Sequence, residues 1–242
     1  MAIAIILAAG TGERFSKQKP KQLAEVNGKA IVEYSLQAFE EHSEITEIIL
    51  VMKENQIQKF EHGLRDKYKK LTLFVNGGMS RAESSANALF SLQTHSQEKV
   101  LIHDAARPLI SFQIISSCLN LLETHDAVMT ATPATDTIVE AKSGKVTSIL
   151  HRESLWSAQT PQGFKYETIR DAYAKMQQHP DFKPTDDCGV LKRFFPEIEI
   201  ALAITQSNNL KITYPSDQFL AEKLLDADDD SHPASSAAAD RC

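Results

Sequence analysis

The stretch LAAGTGERFSKQKPKQ, residues 7–22, joins an apolar run to a glycine turn. The apolar run, residues 2–9, is expected to be a buried β-strand, and Gly10 and Gly12 follow it. A strand that ends in a glycine turn lets backbone N–H groups approach a ligand closely, and such concave turns bind anions. Of the four cations in the same stretch, Arg14, Lys19 and Lys21 are the candidates for binding phosphate. The combination predicts a phosphate site, and the alternative is a solvent-exposed basic loop.

The spacing of the glycines differs from the two familiar phosphate loops. A P-loop has four residues between its glycines and then Gly-Lys-Ser/Thr, whereas one residue separates Gly10 from Gly12. The dinucleotide fingerprint needs a third glycine where this chain has Phe15. Taken with the PKQ that follows, LAAGTGERF resembles the opening signature of sugar-nucleotide-type nucleotidyltransferases, which hold a nucleoside triphosphate on this loop.

Length and composition limit the class of protein. The chain has 242 residues, 42% of them hydrophobic and 24% charged, as in an ordinary globular domain. Its net charge of −6 gives no electrostatic support for binding nucleic acid or a membrane surface. The first apolar run is too short to span a bilayer, and it lacks the basic start of a signal peptide. The three cysteines (Cys118, Cys188 and Cys242) have no disulfide or metal spacing, so we expect a cytoplasmic protein.

Apolar runs alternate with amphipathic stretches over most of the chain. Further strands are expected at 45–52, 71–75, 99–103 and 127–132, and helices at 30–42, 56–70, 82–93 and 111–124. This alternation predicts an α/β fold, Rossmann-like, with a mostly parallel central sheet and helices on both faces. The loops that begin at Gly10, Asn76 and Asp104 would then meet at the carboxyl edge, where such sheets bind ligands. We expect a single domain over residues 1–225.

The pattern changes after residue 135. Short β-like runs at 137–139 and 146–149 flank a turn at 142–145, which predicts a β-hairpin arm over about 136–152. The arm either has a function or is a plain surface hairpin. Later segments are expected to be a helix at 166–178, strands at 199–204 and 210–213, and a helix at 216–225 capped by Ser216. The acidic and then Ala/Ser-rich tail, 226–242, is expected to be disordered.

Two motifs follow predicted strands. In NGGMSRAES, residues 76–84, Gly77 and Gly78 would expose backbone groups to a flat base, and Ser84 is expected to begin the next helix. The alternative is a tight turn with a helix cap. In HDAARP, residues 103–108, Asp104 ends a strand, and Arg107 offers a planar fork suited to phosphate. An Asp–Arg surface pair is the alternative here, and His103 is expected to be a packed side chain.

A third set of polar residues lies on and after the predicted arm. Thr137 and Arg152 belong to the arm, and the Thr160 hydroxyl, before a proline, can face a pocket. The Asp186–Asp187 pair resembles a metal or acid–base pair, but we expect it to cap the helix that runs to residue 195.

Seven strings occur in a fixed order: LAAGTGERF…PKQ, NGGMSRAESS, HDAARPL, DTI, QTPQGF, TDDCGVL and NNLKIT. Together, over about residues 2–225, they resemble the 2-C-methyl-D-erythritol 4-phosphate cytidylyltransferase family. The resemblance implies that CTP is joined to methylerythritol phosphate, with release of pyrophosphate, on the non-mevalonate route to isoprenoids. It also implies a homodimer, in which the arm embraces the second subunit.

The resemblance also implies roles for individual residues. Charge at the α-phosphorus would be stabilised by Arg14 and Lys21. The CTP site would comprise Ala8, Ala9, Gly10, Thr11, Gly12, Gly78 and Ser84. The sugar-phosphate pocket would comprise Asp104, Arg107, Thr137, Arg152, Thr160 and Thr185. Lys211 would contact phosphates and, with Arg152, would aim the nucleophile. Thr137 and Arg152 would serve the neighbour's site.

A phosphate monoester nucleophile is already ionised near neutral pH, so the expected mechanism needs no general base. It needs cations, together with a Mg²⁺ held mainly by CTP phosphates and water rather than by a protein metal site. Three rival functions remain at this stage. The first is a ribitol-5-phosphate cytidylyltransferase, which has the same chemistry. The second is a glycosyltransferase, whose usual Asp-x-Asp motif is missing after His103. The third is a non-catalytic nucleotide sensor.

Overall fold

A computed structural model describes residues 1–12, 15, 20–92, 98–205 and 208–231. Its strands are β1 (Ala2–Leu7), β2 (Glu25–Val26), β3 (Lys29–Ala30), β4 (Ile45–Met52), β5 (Leu71–Asn76), β6 (Lys99–Asp104), β7 (Ala127–Pro133), β8 (Val139–Lys142), β9 (Lys145–Ile149), β10 (Trp156–Lys165) and β11 (Ile200–Ile204). Its helices are α1 (Ile31–Glu41), α2 (Glu54–Lys67), α3 (Arg81–Ser91), α4 (Phe112–Leu121), α5 (Tyr166–Met176), α6 (Asp187–Phe194) and α7 (Pro215–Ser231).

In the described part of the chain, seven strands form one sheet in the order β11-β7-β10-β6-β1-β4-β5. Every pairing is parallel except the two that β10 makes with β6 and β7. The predicted α/β fold with a mostly parallel sheet is therefore confirmed. β4 has the bounds that the sequence predicted, and β1, β5, β6 and β7 differ from prediction by at most two residues at an end.

Alternate residues of the central strands pack on opposite faces of the sheet. In β1, Ala4 and Ile6 belong to one buried core and Ile3 and Ile5 to another. Helices α1 and α4 cover the first face, with Leu36, Phe39, Ile115 and Leu119 in that core. Helices α3 and α5 cover the second face, with Ala86, Leu89, Ile169 and Tyr173 in the other. Burial on both faces explains why these strands are almost wholly apolar.

The predicted arm is present as a separate two-stranded sheet of β8 and β9. Ser143 and Gly144 connect the two strands with φ angles of 51° and 75°. Two successive left-handed residues match the right-handed twist of a hairpin, and glycine adopts that conformation without strain. The arm projects from the main sheet, and the side chains of both its strands are largely exposed.

The antiparallel strand β10 was not predicted. Its sequence, WSAQTPQGFK, mixes polar residues with Pro161 and Gly163, so it shows no β periodicity. Proline cannot donate to a ladder and seldom lies in a central strand. Here the pairing with β7 shifts register between Ala158 and Gln162, and the hydroxyl of Thr130 donates to the Pro161 carbonyl at 2.6 Å. Tertiary contacts on both edges hold the strand in place.

Two predictions for the last segments were wrong. Residues 210–213 form no strand: the Ile212 N–H donates to the Ala106 carbonyl at 2.8 Å, which ties the segment to a loop rather than to a sheet edge. The last helix begins at Pro215, so Ser216 is not its cap. The N–H groups of Thr213 and Tyr214 instead both donate to Asp217 Oδ2 at 2.8 Å.

Helix α7 continues to Ser231, so the boundary expected at residue 225 falls inside a helix. The tail from 226, expected to be disordered, is therefore helical up to Ser231. Residues 232–242 lie outside the described part of the chain.

Candidate active site

A cavity of about 390 Å³ opens at the carboxyl edge of the sheet, where β1, β5 and β6 end. Its volume is within the range of small-ligand sites. The described residues that line it are Leu7, Ala8, Ala9, Gly10, Thr11, Lys21, Gln22, Lys53, Gly78, Met79, Ser80, Arg81, Ser84, Asp104, Ala106 and Lys211. The three loops that the sequence assigned to one edge of the sheet therefore meet in one cavity.

The loop after β1 is held by Gln22, a residue to which the sequence analysis assigned no role. Its side-chain amide is buried and donates to the carbonyls of Ala8 and Gly10. Gly12 has a φ of 68°, and a Cβ there would lie 3.0 Å from the backbone nitrogen of Lys21. Glycine therefore lets the turn fold back against the PKQ segment. The PKQ string, residues 20–22, was the available signal for Gln22.

Of the two predicted charge-stabilising residues in this stretch, Lys21 lines the cavity. Lys21 begins a short 3₁₀ helix (Lys21–Leu23), and its Nζ donates to the Ile212 carbonyl at 2.9 Å. This bond joins the first loop to the segment that carries Lys211. Arg14 lies outside the described residues.

The loop after β5 is held by hydrogen bonds to the end of β4 and within the first turn of α3. The Gly77 N–H donates to the Met52 carbonyl at 2.9 Å. Ser80, not Ser84, caps α3, because the Ser80 hydroxyl accepts from the Glu83 N–H at 3.1 Å. Ser84 lies one turn into the helix, where its hydroxyl accepts from the Gly78 N–H at 3.1 Å and donates to the Ser80 carbonyl. The prediction that Ser84 begins the helix was wrong, but its side chain does line the cavity.

Asp104 ends β6 and binds two cations at the floor of the cavity. Arg81 Nε lies 2.9 Å from its Oδ1, and Lys211 Nζ lies 2.6 Å from its Oδ2. Burial by itself would raise the pKa of Asp104, but the charges of Arg81 and Lys211 outweigh burial and hold that pKa well below its usual range. Asp104 is therefore ionised at neutral pH, and the pairing corrects the alternative of an Asp104–Arg107 surface pair.

Arg81 also contacts Asp187, which the sequence analysis had expected to act as a helix cap. Arg81 Nη2 lies 2.8 Å from Asp187 Oδ2, so the two side chains form an ion pair. Asp187 is fully buried, and its Oδ1 accepts from the Tyr173 hydroxyl at 2.6 Å. Asp186 alone caps α6, through a hydrogen bond from the Gly189 N–H.

Arg107 and Thr160 do not line the cavity. Arg107 is buried, and its Nη1 donates to the Asn209 carbonyl at 2.7 Å. The Thr160 hydroxyl accepts from the Asp104 N–H at 3.0 Å and lies 3.2 Å from His103 Nδ1. Both side chains therefore support the loops around Asp104 from within, and their expected contact with a sugar phosphate stays a prediction.

His103 is a packed side chain, as expected. Burial lowers its pKa to about 4, so the ring is neutral at pH 7. Its Nε2 lies 3.2 Å from the Arg107 carbonyl, which can only accept, so Nε2 carries the proton. Nδ1 therefore accepts from the Thr160 hydroxyl.

Three predicted substrate contacts lie outside the cavity of this chain. Thr137 and Thr185 are exposed, and Arg152, also exposed, donates to the Thr135 carbonyl at 3.2 Å. Thr137 and Arg152 are on or beside the arm. The prediction that they contribute to the active site of a second subunit is not tested by the structure of a single chain.

The residues that line the cavity are suited to a ligand with several negative charges and a planar group at one end. Lys21, Lys53, Arg81 and Lys211 are the cations among its described lining residues, and Asp104 is the carboxylate. Backbone groups of two glycine-containing turns border the same space. Within the described residues, no three or more His, Cys, Asp or Glu side chains are grouped so as to hold a metal ion. In that same part of the chain, every helix is too short or too polar to cross a membrane.

Comparison with known proteins points in the same direction. The family model for IspD, 2-C-methyl-D-erythritol 4-phosphate cytidylyltransferase, matches residues 2–227. The enzyme of that name from Thermobifida fusca is 38% identical over 229 residues, which cover 92% of both chains. The crystal structure of 4-diphosphocytidyl-2C-methyl-D-erythritol synthase from Anaerococcus prevotii aligns with a TM-score of 0.81 at 30% identity, over 93% of this chain and 96% of that one.

A relative with another name is nearly as similar. The bifunctional ribulose 5-phosphate reductase/CDP-ribitol pyrophosphorylase Bcs1 of Haemophilus influenzae is 36% identical over 227 residues. These residues make up 92% of this chain but only 48% of the bifunctional protein.

Proposed function

The chain belongs to the 2-C-methyl-D-erythritol 4-phosphate cytidylyltransferase family, and we propose that the cavity at the carboxyl edge of its sheet is the catalytic site. The family's reaction joins CTP to 2-C-methyl-D-erythritol 4-phosphate and yields 4-diphosphocytidyl-2-C-methyl-D-erythritol and pyrophosphate, on the way to isoprenoid precursors. The observation that carries the assignment is that Lys211, far away in sequence, borders the same cavity as Lys21 and the turn at Gly10 and Thr11.

In this proposal the nucleotide lies across the two glycine turns. Backbone groups from Ala8 to Gly12 would hold the triphosphate, while Gly78 and Ser84 would face the base. Lys21 and Arg14 would stabilise the charge that develops on the α-phosphorus. Such preorganised donors act most strongly in a site from which water is excluded.

The acceptor phosphate attacks without a general base. One of its ionised oxygens forms a bond to the α-phosphorus of CTP, and the bond from that phosphorus to the bridging β-phosphate oxygen breaks, so pyrophosphate leaves with the electron pair. The acceptor's own second pKa, near 6, already makes it a dianion at neutral pH. Lys211 and Arg152 would orient it, and Asp104, Arg107, Thr137, Thr160 and Thr185 are proposed to surround its sugar part.

The lining residues fit a Mg²⁺ that is carried by the nucleotide. Asp104 is the carboxylate among the described lining residues, and both of its oxygens already bind cations. A magnesium ion would therefore be held mainly by phosphate oxygens and water, as is usual for this ion. When bound, it would neutralise part of the triphosphate charge.

We also propose that the enzyme is a homodimer built through the arm. Ile138, Val139, Val146 and Ile149 are between 41% and 68% exposed in the single chain, an unusual set of apolar side chains for a free hairpin. A second subunit would cover them and would receive Thr137 and Arg152 near its own cavity. The cytoplasmic location stays a prediction that rests on cysteine usage.

A pyrophosphate-release assay tests the function. With CTP and Mg²⁺, we expect turnover on 2-C-methyl-D-erythritol 4-phosphate and little on ribitol 5-phosphate, with kcat/KM compared for both. The second acceptor is included because of the similarity to the CDP-ribitol pyrophosphorylase. Preference for ribitol 5-phosphate would replace the proposed substrate, and CTP binding without turnover on any polyol phosphate would favour a nucleotide sensor.

A further inference from the structure

A row of polar and charged side chains runs from the core of the second face of the sheet to the cavity. It passes from the Tyr173 hydroxyl to Asp187, then to Arg81, to Asp104 and to Lys211. Tyr173 and Asp187 are fully buried, whereas the side chain of Lys211 is 39% exposed at the cavity. The row therefore connects a rigid interior to a group that would meet phosphate.

Arg81 is the member on which the others depend. Its planar fork reaches two carboxylates at once, Asp104 through Nε and Asp187 through Nη2. Without it, Asp187 would lose the cation that lies beside it, and Asp104 would be left with Lys211. The two acids (Asp104 and Asp187) and the two bases (Arg81 and Lys211) of the row balance, so the row itself carries no net charge.

The pairing also determines how tightly Asp104 holds Lys211. Both cations share one carboxylate, so Arg81 satisfies one oxygen of Asp104 and partly neutralises its charge. Lys211 is then oriented by the other oxygen but remains able to donate to a phosphate. Without Arg81, the whole charge of Asp104 would face Lys211, and the carboxylate would lose its fixed direction.

We propose that Arg81 is a positioning residue of the reaction: anchored by Asp187, it holds Asp104 so that Lys211 faces the incoming phosphates. The proposal rests on the function proposed above, because it assigns Lys211 to phosphate contact. Arg81 acts through Asp104, and its effect should be lost when Asp104 is neutral.

The variants must avoid leaving a buried charge unpaired. Arg81→Gln combined with Asp187→Asn removes one positive and one negative charge together, and the Tyr173 hydroxyl can still donate to the new amide oxygen. Asp187→Asn alone keeps Arg81 on Asp104. Arg170→Lys is the matched control, since Arg170 is a half-exposed arginine paired with its neighbour Asp171. Arg81→Lys keeps a positive charge but lacks a fork that can reach both carboxylates.

The first measurement needs no substrate. The carboxyl carbons of ¹³C-labelled aspartates are titrated by NMR, and the Asp104 signal is assigned by its loss in Asp104→Asn. We expect the pKa of Asp104 to rise by at least about one unit in the charge-balanced double variant, to rise less in Arg81→Lys, and to stay unchanged in Arg170→Lys. If the double variant has the same Asp104 pKa as the wild type, the proposal is overturned. If the double variant does not fold, the same comparison is made with Arg81→Lys, and an unchanged Asp104 pKa in that variant overturns the proposal.

The second measurement is kinetic. We expect kcat/KM for the acceptor phosphate to fall by about ten- to a hundredfold in the double variant, since a small displacement of an orienting group costs that much. The pH profile of kcat should gain an acidic limb as Asp104 becomes protonated. Against an Asp104→Asn background, the Arg81 change should add less than about threefold, because coupled residues are not additive. Equal losses in both backgrounds contradict the positioning role. A wild-type protein without turnover contradicts the proposed function. The NMR titration still tests whether Arg81 controls the pKa of Asp104, because it does not depend on turnover.

Discussion

Gly77 lies so close to Ala9 that a Cβ on Gly77 would be only 2.2 Å from the Cβ of Ala9. Gly77 begins the loop after β5, and Ala9 belongs to the loop after β1. The two loops are therefore in van der Waals contact on one side of the cavity. The absence of a side chain at Gly77 determines how closely they approach, and hence the width of the space between the two glycine turns.

Gly77→Ala is expected to destabilise the protein by about 1–3 kcal/mol, the usual cost of overpacking. The added methyl group would push the two loops apart, so the KM for CTP should also rise. The free energy of unfolding can be measured by denaturant titration, and the KM by pyrophosphate release.

Gly63→Ala is the matched control for that substitution. Gly63 lies within α2, and a Cβ there would meet nothing within 4 Å. We expect this change to stabilise the protein by about 0.5–1 kcal/mol, since alanine favours a helix over glycine. If the two variants shift stability in the same direction, the close approach of Gly77 to Ala9 is not what limits that position.

Lys21→Ala should lower kcat by about 10²–10³, the scale for losing one preorganised donor to developing charge. Its bond to the Ile212 carbonyl is also lost, so thermal unfolding should be recorded to separate folding from catalysis. Lys69→Ala, at an exposed lysine between α2 and β5, serves as the control. A Lys21→Ala enzyme within tenfold of wild-type kcat would remove this residue from the mechanism.

Mixed dimers test the service of Arg152 to a neighbour. Arg152→Ala and Lys21→Ala subunits should each be nearly inactive alone. After unfolding and joint refolding in equal amounts, half of the dimers would be mixed, and each would hold one intact site. We therefore expect about one quarter of wild-type activity from a symmetric dimer. Activity no higher than the sum of the separate variants would mean that each site is built from a single chain.

The neutral His103 makes stability depend on pH. Its pKa is about 4 in the folded protein against 6.5 in an unfolded chain, so between these values the unfolded state binds more protons. The free energy of unfolding should thus fall as the pH drops from about 6.5 to about 4, by about 3 kcal/mol from this group, and the loss from this group should be complete below that range. His42, whose pKa burial also lowers, adds to the trend.

His103→Gln isolates that contribution, because an amide can still donate to the Arg107 carbonyl but does not titrate. Denaturant titrations at several pH values should give a shallower slope for this variant than for the wild type. His62→Gln, at a side chain that is 97% exposed, is the control for removing an imidazole from the surface. Parallel slopes for the wild type and His103→Gln would mean that His103 keeps its ordinary pKa in the fold.

Periodicity predicted the strands that are buried on both faces. β1 is a run of aliphatic residues and β4 ends in one, and such near-continuous apolar runs are typical of a parallel sheet that is covered on both faces. β10 was not predicted because it forms by pairing with the edges of β6 and β7, and its own residues show no β periodicity. The segment around Lys211 was wrongly predicted as a strand because the short alternation of apolar and polar residues in LKIT, residues 210–213, does not reveal whether a sheet edge is free to pair with it.

The candidate site was predictable to the extent that its residues follow strand ends. Gly10, Gly78 and Asp104 were expected at one edge, and they do line one cavity. Lys211 lines the same cavity, but only the family resemblance had assigned it to the site. The partners of those residues were not predictable. Arg81 was read as part of a loop motif and Asp187 as a cap, since their contact spans two helices that no local pattern connects.

The sequence by itself determined the fold class, the family and the loops that carry the chemistry, because apolar periodicity and short glycine motifs are local properties of the chain. Tertiary structure alone decided which charges neutralise one another. In the folded chain, the side chains of Arg107 and Thr160 are buried and support the loops around Asp104, and Arg81 lies between Asp104 and Asp187. The reason is physical: an ion pair depends on distances of a few ångströms in a buried environment, and only the packing of helices and strands determines those distances.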